Sequence, residues 1–397
     1  MKPTKQDKWR RNVRLYYVYR VLCTMNFVMP IFMLFLMDKG LTSFQIFVTQ
    51  AVYTFVEMLL MVPSGAFADK VGRKKTLILS TVLYSAAFLS YSFSQTFTHV
   101  LLTETVFAVS SALFHGTGEA FLYDTLAEAK RKNRYKGVLS TAYAVQSVVM
   151  GAASVAGGYM AKYGLSMPFL VSALPAALSL VPLLFLDEPH RKKADDQPYL
   201  KLMKDAVLFA ARHRKLRSVM YYVAVTTLAG YMGFMLYQPL LTKMGMKVEY
   251  LGLVVMVLSG MNALGSKLAQ RVERRLKRFN LMMLLAGSRA VLYLLVYLAD
   301  GTYLVVWALL YDLVSGVSLP LVSDWVNRFS KSENRATVLS LSGMSGTLTF
   351  SAFSPLLGLY VDAYSEQAAY LLLALALGAY ALRQLAVMVY DKVRASG

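Results

Sequence analysis

The sequence predicts an all-α membrane protein of twelve transmembrane helices in two six-span halves. Three observations predict it. Of 397 residues, 57% are hydrophobic and 16% are charged, whereas average usage is about 45–50% apolar and about 25% charged. Twelve apolar stretches each reach the roughly 20 residues that a bilayer-spanning helix needs. The basic residues, which give a formal net charge of +20, fall almost entirely on one side of those stretches. In a polar chain such a charge points to nucleic acid; here the apolar content points to a membrane, and no nucleic-acid partner is expected. The single cysteine, Cys23, excludes an intramolecular disulfide and a cysteine-cluster metal site. No metal and no cofactor are expected. The 26 Tyr and 21 Phe suit membrane interfaces and cavities.

Taken in order, the spans of the first half lie near 14–37, 44–68, 76–95, 98–122, 138–161 and 167–186. The first has a basic start followed by an apolar run, as a signal peptide does. Its run is too long for a signal h-region and no small-residue cleavage site follows it, so it reads as a retained span. The longest polar stretch follows, at 187–216. Within it Tyr199, Leu202, Met203, Ala206, Leu208, Phe209 and Ala210 recur at helical spacing among Lys and Arg, which predicts an amphipathic helix on the membrane surface. The second half spans 217–241, 249–268, 279–299, 303–325, 337–360 and 366–389. The expected organisation is an N-terminal bundle at 1–186, a basic linker at 187–216 and a C-terminal bundle at 217–397. No stretch is left for a soluble catalytic domain.

Basic residues concentrate in short cytoplasmic loops. With the N-terminus inside, 35 of the 42 Lys+Arg fall on the inner side. Lys39, Lys162, Lys243 and Lys247 fall outside, and Arg20, Arg289 and Arg383 lie within spans. Both termini are therefore expected in the cytoplasm of a multi-pass protein of the cell membrane, with anionic lipids as partners at the inner face.

Six spans, a linker and six more spans suggest an internal repeat. Ala68-Asp69-Lys70-Val71-Gly72-Arg73-Lys74, after the second span, is echoed by Ala269-Gln270-Arg271-Val272-Glu273-Arg274-Arg275 after the eighth. The first of these lies in Gly65-Ala66-Phe67-Ala68-Asp69-Lys70-Val71-Gly72-Arg73-Lys74-Lys75. This resembles the loop between spans two and three of the major facilitator superfamily, G-x-L-a-D-r-x-G-r-k-k, with Phe67 in place of Leu. The resemblance covers essentially the whole chain. It implies twelve transmembrane helices in two pseudo-symmetric six-helix bundles that rock about a central cavity. It also implies a conformational latch built from Gly65, Asp69, Gly72 and Arg73. Asp69 would face the start of span eleven near Asn334-Arg335-Ala336, where a helix dipole favours an anion. Gly65 would let the helix end approach a neighbour closely, and Gly72 would permit the turn.

Two departures bear on coupling. Proton-linked drug exporters of this superfamily often carry R-x-x-Q-G in span four; here Ala112 stands for the Arg and His115 for the Gln. Their span-five G-P-x-x-G-G reads Ala153-Ser154-Val155-Ala156-Gly157-Gly158. That span keeps a small-residue face of Ser147, Gly151, Ser154 and Gly158, expected to pack between the bundles.

Ionisable groups inside spans are costly and are functional candidates. Gln50, Tyr53 and Glu57 share one face of span two. Glu57 is either a reversible proton carrier or a structural hydrogen-bonding group. Asp312 and Glu119 are further coupling candidates. Arg20–Glu119 and Arg73–Asp124 are possible ion pairs, Arg289 and Asp312 are expected to pair or share a polar network, and Glu104 is expected to be hydrated. Cavity candidates are Asn26, Gln50, Tyr53, Tyr143, Gln146, Tyr231, Phe234 and Gln238. Aromatic and Met-rich lining suggests an amphipathic or aromatic organic substrate.

The function expected is secondary active transport of small organic molecules by alternating access, in a monomer, as proton-coupled efflux. The alternatives are proton-coupled uptake by symport and a transport-inactive receptor or scaffold. An enzyme is not expected: the chain has no G-x-x-x-x-G-K-[ST], H-E-x-x-H or G-x-S-x-G pattern.

Overall fold

The computed structural model describes residues 5–189, 213–274, 278–299, 301–329 and 335–396, and all regular structure among them is helical. The first half comprises α1 (Lys5–Thr24), α2 (Phe32–Asp38), α3 (Ser43–Val71), α4 (Arg73–Ser92), α5 (Phe97–Phe114), α6 (Thr117–Glu128), α7 (Tyr135–Ala161), α8 (Met167–Leu178) and α9 (Leu180–Leu184). The second comprises α10 (Arg214–Lys243), α11 (Val248–Glu273), α12 (Arg278–Leu298), α13 (Val305–Phe329), α14 (Arg335–Ala363) and α15 (Glu366–Ser396). Every expected span coincides with a helix or a broken helix. The expected amphipathic helix of the linker lies outside the described residues.

Nine helical stretches among the described residues are long and apolar enough to cross a bilayer. The other three expected spans are α1 with α2, α4, and α14. Their hydropathy is diluted by Lys and Arg in α1, by the Arg73-Lys74-Lys75 start and hydroxyl residues of α4, and by Ser, Gly and Thr in α14. Large apolar side chains such as Val148, Leu174, Leu319 and Leu382 stand exposed on the helix surfaces, as side chains that face lipid must.

Three spans read as continuous from the sequence are interrupted. Span one stops at Thr24 and restarts at Phe32. Asn26 Oδ1 accepts the Val28 amide at 2.9 Å and Ser172 Oγ accepts the Phe27 amide at 3.1 Å, so side chains replace the helical carbonyls. Pro30 then supplies no amide of its own. Span four breaks at His115 and Gly116, where Gly116 has φ +78°, a conformation that a Cβ disfavours. Span six, with Pro175 and Pro182, divides at Ser179.

The described helices form two compact units. Unit 1 holds Met1–Leu41, Val52–Asp196 and Val248–Met256; unit 2 holds Thr42–Ala51, Gln197–Lys247 and Val257–Gly397. Within unit 1, α1 packs on α7 and α4 on α8; within unit 2, α10 packs on α14 and α12 on α15. These are the same pairings, first with fifth and third with sixth, in each half. Each unit has its own core. Tyr16, Tyr19, Phe121 and Leu183 lie at the centre of one, and Trp325, Tyr222, Leu281 and Met282 at the centre of the other.

Small residues set a close backbone approach in each unit. In unit 1, a side chain on Gly158 would press on the Gly252 backbone, and one on Gly252 would overlap the Ser154 carbonyl. The small face of α7 therefore receives the first turns of α11. In unit 2, a side chain on Gly358 would press on Ser43 and Phe44, and Ser351 Oγ donates to the Ala51 carbonyl at 3.0 Å. Asp362 caps the same helix start, accepting the amides of Ser43 at 2.8 Å and Phe44 at 2.9 Å. Gly151-Ser154-Gly158 and Ser351-Ser354-Gly358 share one spacing.

A side chain built on Gly65 meets nothing within 4 Å among the described residues. Gly158→Val and Gly358→Val should therefore each destabilise the folded protein by about 1–3 kcal/mol, the usual cost of overpacking. Gly65→Ala should leave melting unchanged. Size-exclusion chromatography of detergent-solubilised protein after graded heating checks both.

Candidate functional site

Unit 1 contains a cavity of about 220 Å³. Two of the three helix breaks border it: Asn26 comes from that of span one and His115 from that of span four. α1 adds Tyr19, Arg20 and Cys23, α7 adds Gln146 and Met150, and α4 and α5 add the Tyr84 and Phe107 rings. The breaks bring irregular backbone to the border of a cavity, where such backbone is tolerated inside a membrane protein.

Two residues of one wall contact a carboxylate. Tyr53 and Glu57 lie one turn apart on α3. Tyr53 Oη donates to Ser111 Oγ at 3.1 Å, and Ser111 Oγ donates to Glu57 Oε1. His115 Nε2 lies 3.4 Å from the same oxygen. The Glu57 side chain is 18% exposed and that of His115 56%. Ser111 and His115 both line the cavity.

The signature loop is a capped turn. Gly72 has φ +112°, and a side chain there would meet the Glu188 carboxylate. Glu188 accepts the amides of Arg73 at 2.7 Å and Lys74 at 2.8 Å, closing the start of α4. Lys74 Nζ donates to the carbonyls of Leu184 at 2.7 Å and Leu186 at 2.8 Å. Arg73 Nε contacts Asp124 Oδ2 at 2.8 Å, which forms the expected pair, and Arg73 Nη2 lies 3.8 Å from Asp69 Oδ1. The Asp69 side chain is 52% exposed. Its expected partner at the start of span eleven includes residues outside those described.

The Major Facilitator Superfamily profile matches residues 19–348. The chain belongs to that superfamily. It is 22% identical over 369 residues to the uncharacterised transporter YxaM of Bacillus subtilis (strain 168), covering 88% of this chain and 89% of that one. It is 22% identical over 186 residues to the quinolone resistance protein NorA of Staphylococcus aureus, covering 47% and 46%. An uncharacterised transporter of Methanocaldococcus jannaschii is 24% identical over 43% of this chain and 40% of its own length. The chain thus matches less than half the length of these last two relatives. Among solved structures, the nucleoside transporter NupG superposes with a TM-score of 0.74 at 14% identity, covering 96% and 99%. The D-xylose–proton symporter does so at 0.69 and 13%, covering 95% and 97%. At such identities these likenesses show the fold.

As a member of the Major Facilitator Superfamily the chain is a multi-pass secondary transporter and not an enzyme. The remaining candidate residues fall in several places. In unit 1 the expected Arg20–Glu119 ion pair does not form. Tyr143 stands between them, its ring 5.7 Å from the Arg20 guanidinium and its hydroxyl donating to Glu119. Arg20 donates instead to Gln146 Oε1. Glu104 is 3% exposed and sits beside Tyr91, so it is buried rather than hydrated.

In unit 2, Arg289 is 4% exposed. It lies over the rings of Tyr311 at 5.5 Å and Tyr222 at 5.9 Å. Asp312 is among its charged neighbours, but they make no direct ion pair within 4.0 Å; the shared-network alternative fits. Asn262 Nδ2 donates to the Asp312 backbone carbonyl at 3.4 Å. Tyr231 packs on Phe350 at 5.3 Å, Phe234 on Tyr237 at 5.4 Å, and Gln238 is buried. Gln50 belongs to unit 2 while Tyr53 and Glu57 belong to unit 1.

Sequence reasoning missed Ser111 and Glu188. Ser111 was one hydroxyl among many. Glu188 sits in Asp187-Glu188-Pro189, with no periodic signal linking it to a turn 115 residues earlier. Arg73→Gln and Asp124→Asn should destabilise non-additively, with a coupling of roughly 0.5–3 kcal/mol. A double-mutant cycle of thermal unfolding reads this; additive effects would separate the two groups.

Proposed function

We propose that this transporter exports small amphipathic or aromatic organic molecules by alternating access, driven by inward proton movement, across a cell membrane with both termini in the cytoplasm. The observation that carries the reading is the Glu57–Ser111–His115 cluster at the wall of the unit 1 cavity. A carboxylate held there by a hydroxyl and an imidazole can exchange a proton when access to the cavity changes sides. The aromatic lining supplied by Tyr19, Tyr84, Phe107 and Phe114 suits planar apolar substrates. The name of NorA agrees with efflux. Asp312 and Glu119 are secondary coupling groups, and anionic lipid meets the basic inner face.

Asp69 serves as the conformational latch in this reading. Gly72, Glu188 and Arg73 hold its turn, and the half-exposed carboxylate exchanges partners as the transporter cycles.

A second reading, proton-coupled uptake by symport, is favoured by one observation: Ala112 occupies the place of the exporters' span-four arginine.

In proteoliposomes, Glu57→Gln should abolish substrate-linked pH change while leaving folded yield at wild-type level. Undiminished coupling would remove Glu57 from the mechanism. The sign of the pH change under outward substrate flux separates antiport from symport. Asp69→Asn should slow turnover about tenfold, equivalent to ~1.4 kcal/mol in the rate-limiting conformational step, without weakening equilibrium binding. Turnover at the wild-type rate would reject the latch.

A further inference from the structure

We infer that the unit 1 cavity selects an organic anion, and that Arg20 receives its carboxylate. This rests on the reading of the cavity as the transported molecule's site and adds the charge class of that molecule. Arg20 is 8% exposed and lines the cavity. Its Nη2 donates to the neutral Gln146 Oε1, and its Nε has no hydrogen-bond partner. The guanidinium lies over the Phe114 ring at 4.9 Å and the Tyr143 ring at 5.7 Å. Among the described residues no carboxylate lies within 4.0 Å of it.

Two acidic side chains beside this arrangement are already engaged. Glu57 is held by Ser111 and His115, and Glu119 by Tyr143. A buried arginine is stabilised chiefly by an anion, and its planar fork matches a carboxylate in bidentate fashion. Here the protein leaves that fork unmatched at the edge of a cavity. Arg289, also buried and with its Nε likewise without a hydrogen-bond partner, differs in having Asp312 among its charged neighbours and in lying outside the lining of this cavity. Around Arg20 the lining sets the rings of Tyr19, Tyr84, Phe107 and Phe114 among small hydroxyl residues such as Ser80, Thr81 and Ser110. The geometry therefore suits a planar aromatic acid, its carboxylate on Arg20 and Gln146 and its ring among these side chains.

The test uses the full-length protein in neutral detergent and three probes of one shape: 2-naphthoate, 2-naphthamide and 2-naphthylmethylammonium. Wild-type protein should bind naphthoate about tenfold or more tightly than the amide, and the ammonium most weakly. Arg20→Gln should erase the preference, and Arg20→Lys should retain part of it. Gln146→Glu keeps Arg20 in place and gives it a competing carboxylate. It should weaken naphthoate about tenfold while changing the amide by no more than about twofold. Equal wild-type affinity for acid and amide, absence of naphthoate binding, or naphthoate binding untouched by both Arg20→Gln and Gln146→Glu would overturn the proposal. Binding needs no gradient, so the failures are distinguishable. Naphthoate binding without proton-linked flux would reject coupling and keep the anion site; proton-linked flux of the ammonium with no naphthoate binding would do the reverse.

Discussion

In hydrocarbon a backbone amide without a partner costs several kcal/mol, and no water is at hand to supply one. The opening of span one meets that constraint with side chains, and two helix starts are capped in the same way. Where span one opens, Asn26 and Ser172 take over the amides of Val28 and Phe27. Where α3 begins, Asp362 receives its first two amides. Where α4 begins, Glu188 does the same. The two acidic caps also meet the positive end of a helix dipole, so one side chain satisfies donors and charge together.

The same constraint explains how charges are distributed. Asp362, Glu188, Arg73 and Asp124 are matched by partners that fix local structure. The groups at the unit 1 cavity are different. Glu57 shares its oxygen with a hydroxyl and an imidazole, and Arg20 faces an amide and two rings. Unit 2 repeats the helix pairings but encloses its arginine among tyrosines, with Tyr293 stacked on Tyr311 at 4.2 Å. Two halves with one architecture have thus reached different interiors. The repeat preserved what backbone packing requires, as the shared spacing of Gly151-Ser154-Gly158 and Ser351-Ser354-Gly358 shows. It did not preserve the polar groups of the interior.

Much of the fold was legible because its signals are additive along the chain. Apolar length and punctuation place each span without knowledge of its neighbours, so each expected stretch met a helix. The loop at 65–75 was legible because a tight turn demands Gly72 and a charged helix end demands acid–base pairing, and Arg73–Asp124 formed as expected. The breaks in spans one, four and six were not read, because Asn26, His115-Gly116 and Ser179 sit inside apolar runs that average them away. The Arg20–Glu119 pairing failed for a related reason. Depth in the membrane brought the charges to similar levels, but it could not show that Tyr143 would stand between them.

By itself, then, the sequence determined the class of the protein, its helices and the loop that marks its superfamily, since hydropathy and turn chemistry are local. The tertiary structure alone decided which polar groups meet. It placed Glu188 under a turn 115 residues away and brought Ser111 and His115 to Glu57. It also left Arg20 beside a cavity, on an amide and two aromatic rings, with no carboxylate within 4.0 Å among the described residues. Those pairings depend on the rotation and approach of whole helices, and no window along the chain contains both partners.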